Sequence, residues 1–154
     1  MDDAEGSTRG PGPGGDGADG AWEALLARGF RAWPAIRVDP AVLLAHAQAV
    51  GTGPGPDCRH PEDLYLALAA LAGDPVARAL VDEALVSGAR WAVAQHGASE
   101  DVGGDVLQEL RSKVFAERPS RLRGFTGRGP LSAWVRVLAR RAAIDVLRPT
   151  QKAS

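Results

Sequence analysis

The chain has 154 residues, 45% of them hydrophobic and 24% charged, with a net charge of −1. No apolar run approaches the ~20 residues of a membrane span, and the acidic start MDDAEGSTRG lacks the apolar core of a secretory signal. A single cysteine, Cys58, excludes an internal disulfide and a cysteine-based zinc site and fits a reducing cytoplasm.

Residues 1–20 hold seven glycines, two prolines and five acidic side chains, with almost nothing to bury. Such a segment cannot offset its ordering entropy, and a disordered tail is expected there. Residues 21–50 read as an N-terminal helical extension. Trp22 to about Trp33 is amphipathic and stopped by Pro34, and Asp39-Pro40 is a cap followed by proline at the first helical position, opening Ala41–Val50. The run GTGPGPDCRHP makes 51–60 a surface linker.

The main domain is expected over 61–150. Pro61-Glu62-Asp63 opens its first helix, with carboxylates in the favourable first turn, and Gly73 closes it. Asp74-Pro75 repeats the start signal for a helix to about Gln95, whose stripe of Leu80, Val81, Ala84, Leu85, Gly88, Trp91 and Ala92 keeps to one face. Gly97 ends it. Ser99 caps a helix to about Glu117, a basic loop covers 118–129, and the last helix runs from Pro130 to Pro149. No segment alternates like a strand, so the fold class is all-α.

Charge is spread unevenly along this order. Residues 1–110 carry seven basic and 17 acidic side chains, a balance of −10, whereas 111–154 carry 11 basic and two acidic, a balance of +9. One end of the chain suits a polyanion and the other does not.

Two helices carry more than a core. At 100° per residue, Val102, Val106, Leu107, Leu110 and Val114 share one arc of the helix over 100–117. Asp101, Asp105, Gln108, Glu109 and Ser112 occupy another, about 100° wide. This strip is either a solvated face that complements the helix dipole or a surface for a basic partner; i,i+4 partners of opposite sign do not lace it. Gly103-Gly104 weaken the helix start, and regular helix is expected only near Asp105.

In the last helix, Leu131, Trp134, Val135, Leu138, Ala142 and Val146 form the core stripe, and Arg136 and Arg140 point away from it. Asp145 is expected to pair with Arg141 or Arg148. The loop before it sets Arg118, Arg121, Arg123 and Arg128 around Phe125, which either plugs the core or offers an aromatic face. Arginines beside an aromatic suit single-stranded nucleic acid, where guanidinium groups neutralise phosphates and an unstacked base needs a platform or pocket.

These residues resemble a family. DVLQELRSKVF (105–115) and GFTGRGPLSAWVRVLARRAAIDVLR (124–148) are similar to region 2 of the sigma-70 family of bacterial RNA polymerase sigma factors, nearest its extracytoplasmic-function group. The upstream strings RAWPAIRVDPAVLLAHA and HPEDLYLALAALAGD resemble a sigma group expanded in myxobacteria. The resemblance spans residues 28–150 and implies a compact region 2-like bundle. It implies that Asp105, Gln108, Glu109 and Ser112 bind core RNA polymerase at the coiled coil of its largest subunit. It also implies that Arg121, Arg123, Phe125, Arg128, Trp134, Arg136 and Arg140 engage the non-template strand of the promoter −10 element as the duplex opens. Arg141 stands where the family usually has asparagine, and the helix-turn-helix domain that reads the −35 element does not follow.

Two functions fit. One is a cytoplasmic initiation module that binds polymerase and melts the −10 element. The other is a regulatory interaction protein of the same fold, binding polymerase or an anti-sigma factor without productive promoter use. An enzyme would need a nucleophile–base pair or a metal cluster. His46, His60 and His96 are too scattered for ligand spacing, and no second carboxylate helix joins Asp101, Asp105 and Glu109, so no catalytic role, metal or cofactor is expected.

Overall fold

Four of the helices begin on a proline, which has no amide hydrogen to leave unpaired in the first turn. The structure, a computed structural model, describes residues 13–148. Its helices are α1 (Pro13–Ala32), α2 (Pro40–Val50), α3 (Pro61–Leu71), α4 (Pro75–His96), α5 (Glu100–Arg111) and α6 (Leu131–Val146). A π-helical turn (Ser112–Ala116) prolongs α5, and a 3-10 turn (Arg121–Gly124) precedes α6. The described residues are helical or irregular and contain no strand. None of their helices alone is long and apolar enough to cross a membrane.

The caps are the expected ones at α2 and α4. Asp39 accepts from the Ala41 amide and Asp74 from the Ala77 amide, both at 2.8 Å. Gly51 and Gly97 close these helices in the left-handed region. At α5 the Ser99 side chain makes no capping bond, yet the helix is regular from Glu100 through Gly103 and Gly104. The expected delay to Asp105 is therefore corrected: Val102 and Leu107 pack on the core on either side of the two glycines, and that packing outweighs their propensity.

The expected tail over 1–20 is described only in its second half. Helix α1 runs back to Pro13, so 13–20 are helical, while 1–12 lie outside the described residues. Adding a residue to an existing helix costs far less than nucleating one, so the portion anchored by buried Leu25 and half-buried Trp22 carries the glycine-rich turns with it. The far end of the chain is partly outside too. Helix α6 ends at Val146, and Pro149 is not among the described residues.

Helix α3 is the centre. Leu64 to Ala70 are all buried, because α1 and α2 cover one side and α4 the other. Trp33 Nε1 donates to the Glu62 carbonyl (2.9 Å) and Arg28 pairs with the Glu62 carboxylate (2.8 Å), which fastens α1 to the start of α3. Leu25, Ile36, Leu43 and Ala47 join the same core as the later helices, so 21–50 is packed into the main body. Helix α4 receives α5 and α6 on its remaining faces. At Gly88 a Cβ would overlap Val135, and the missing side chain lets α6 come close.

Candidate nucleic-acid interface

The basic loop is shaped by buried groups before its charges come into play. Ser120, 7% exposed, donates to the Val114 carbonyl at 2.6 Å and accepts from the Leu122 amide at 3.0 Å. One hydroxyl thus ties the π-helical turn to the 3-10 turn and drives Leu122 into the core. Phe125 follows it, at 3% exposure, with its ring edge-on to Trp134 at 5.9 Å. Of the two readings of Phe125, the core plug is right, and an exposed stacking face is ruled out by its burial. Its backbone neighbours and the half-buried Trp134 still line an open cleft of about 310 Å³, with Arg128, Ala133 and Val137 as further walls.

The far side of the loop is held by residues more than 60 positions upstream. The amides of Arg59 and His60 both donate to the Gly127 carbonyl, at 2.9 and 2.8 Å. Gly127 has φ +78°, and a Cβ there would lie 2.7 Å from Cys58 Sγ, so both backbone angle and space demand glycine. Asp63, in the first turn of α3, accepts from the Leu131 amide at 2.8 Å. Pro130 has no side-chain acceptor for the start of α6, and the Asp63 carboxylate fills that place from another helix. Residues 51–60 are therefore bonded to the basic loop through Arg59 and His60, not a free surface linker. Burial pushes the Cys58 thiol up, so it stays protonated there.

The arginines divide into tethered and free. Arg123 reaches the Val50 carbonyl at the end of α2 (3.4 Å), Arg128 lies 3.7 Å from Asp57, and the Arg136 guanidinium sits 5.1 Å over the Trp91 ring of α4. Arg121 and Arg140 are exposed and make no ion pair among the described residues. Asp145 is exposed too, and its expected pairing with Arg141 or Arg148 is absent among the described residues. The side chains remain splayed into water, where such a pair stabilises little.

The acidic strip on α5 keeps Asp105 and Gln108 exposed, with Glu109 and Ser112 partly covered. Glu109 has an i,i+4 partner after all, Lys113 Nζ at 3.7 Å. Arg111, counted in the basic end, makes a two-pronged contact with Asp82 of α4 at 2.7 and 2.8 Å. That guanidinium holds the Asp82 carboxyl below its ordinary range. The +9 balance of 111–154 is thus partly answered within the fold, and what faces outward is concentrated on the 121–128 loop and α6. Sequence reading missed Asp57, Asp63, Trp91 and Val137. Only the absent acceptor at Pro130 hinted at one of them.

No protein-family model, curated protein or solved structure matches this chain. The geometry therefore stands on its own chemistry. A cleft with an aromatic wall, a guanidinium at its rim and a helix face of exposed arginine beside it can take a planar heterocycle and hold the phosphates on either side.

Proposed function

We propose that this chain is a transcription initiation module of the sigma region 2 kind. It binds core RNA polymerase through Asp105, Gln108, Glu109 and Ser112, and takes the non-template strand of a −10 element along the 121–128 loop and α6. One observation carries the reading: Phe125, Arg128 and Trp134 line a single cleft of about 310 Å³ on the helix that also presents Arg140. The motif resemblance of 105–115 and 124–148 supports the same roles. Phe125 acts as the floor that orients Trp134, and a base enters against the Trp134 edge and Val137. Arg121 and Arg140 supply phosphate contacts, which position the strand without specifying it.

The test is a salt titration of single-strand binding by wild type and Arg140→Ala, with and without core polymerase. Binding that falls with salt at about −0.7 log units per phosphate neutralised, and a shallower slope for Arg140→Ala, is expected. Retention on polymerase with no strand binding would favour the regulatory interaction protein instead. Salt-independent binding, or no binding to either, removes the proposal.

A further inference from the structure

Beside the Phe125–Trp134 cleft lies a second one of about 220 Å³, lined by Gly53, Gly55, Pro56, Asp57, Cys58, Thr126 and Arg128. The two clefts share Thr126 and Arg128. A strand that crosses the loop at 126–128 therefore meets both. We propose that the second cleft takes the nucleotide next to the one held against Trp134, and that Asp57 makes it favour cytosine over thymine. This rests on the strand-binding reading above and extends it to a segment, 53–58, that lies outside the region resembling the −10 reader.

The wall is fixed in advance. The Cys58 amide donates to the Gly55 carbonyl (3.1 Å), and the next two amides are bonded to Gly127. Gly55 has no side chain to fill the space, and Pro56 offers an apolar ring against which a base can lie. Asp57 and Arg128 are 69% and 73% exposed at their side chains and stand 3.7 Å apart, a loose pair that either partner can leave. A phosphate between the two bases is the stronger, two-pronged partner for Arg128. Once Arg128 turns to it, the Asp57 carboxylate has no cation and can only accept hydrogen bonds. Cytosine answers with its N4 amine, whereas thymine presents the O4 carbonyl in that place and is repelled. The carboxylate also serves without a ligand, by neutralising Arg128 and holding back indiscriminate binding of polyanions.

The experiment is affinity selection from a randomised ten-nucleotide single strand, with the full chain bound to core polymerase, for wild type, Asp57→Asn, Asp57→Glu and Phe125→Leu. Wild type is expected to enrich cytosine over thymine about fivefold at one position, the size of a single good base contact. Asp57→Asn should bring that ratio near one and bind the pool more tightly, and Asp57→Glu should keep the preference. Phe125→Leu should alter the neighbouring position and leave this one. If Asp57→Asn retains strand and shows the wild-type base profile, the inference falls and the strand-binding reading stands. If wild type retains no strand, both fall together.

Discussion

The acidic strip of α5 and the basic loop before α6 are built in opposite ways. The strip is local: Asp105, Gln108, Glu109 and Ser112 come to one side because a helix repeats every 3.6 residues. Nothing from another element is needed to aim them. The loop has no such repeat, and its form comes from Asp63, from the amides of Arg59 and His60, and from the space beside Cys58. A surface written by periodicity tolerates substitution one side chain at a time. A surface assembled across more than 60 residues of chain fails when any remote support is taken away.

The largest effect should come from the loop's buried floor. Phe125→Ala empties a side chain that is 3% exposed and takes the edge-on contact away from Trp134, and should destabilise the protein by about 3–5 kcal/mol in a denaturant titration. A loss below about 1 kcal/mol would mean that the ring is dispensable, and that the loop is no more integrated than the strip.

Next is the remote cap. Asp63→Ala should cost about 1–2 kcal/mol and speed hydrogen exchange at Leu131, while Asp63→Asn, which keeps an acceptor, should cost less. If exchange quickened equally throughout the molecule, the carboxylate would be serving α3 alone.

A smaller effect depends on pH. Arg111 holds the Asp82 carboxyl below its ordinary value of 3.8, so the stabilisation is fully present above that value and is lost as pH falls through the lowered one. Wild type should exceed Asp82→Asn by up to about 1 kcal/mol at neutral pH, since both groups are partly solvated. The gap should close on acidification below pH 3.8, as read from thermal unfolding in a pH series.

Smallest of all for stability are Asp105→Ala and Gln108→Ala, within about 0.5 kcal/mol of wild type because both side chains are exposed. Retention on core polymerase should nonetheless drop. A strip that melts the domain when substituted would be structural, and the contrast with the loop would collapse.

What could be read from the sequence follows the same division. The caps at Asp39 and Asp74, the glycine stops and the core stripes of α4 and α6 depend on neighbours three or four residues away, and they stand as expected. The helical reach of α1 was hidden because local composition argues against nucleation while the actual event is propagation. Phe125 could be read two ways, since burial of a lone aromatic in a glycine-containing loop is decided by what lies beneath it. Tethers such as Arg136 on Trp91 and Arg128 beside Asp57 join distant positions whose meeting has no periodic signature. The charge split was visible, but it overstated the free cation by counting Arg111 and Lys113, which the fold answers with Asp82 and Glu109.

The carboxylate that caps α6 sits 68 residues ahead of the amide it serves. The first turn of the last helix is therefore a late event in the life of the chain. Its capping bond must wait until a long loop has closed and α3 is in place, which makes this corner a slow, topology-limited part of the bundle. In pulse-labelled refolding, protection at Leu131 should trail that of the middle of α4. A refolding chain caught before that moment carries all of its basic side chains but no finished cleft. On the strand-binding reading proposed above, it would hold polyanions without telling one base from another.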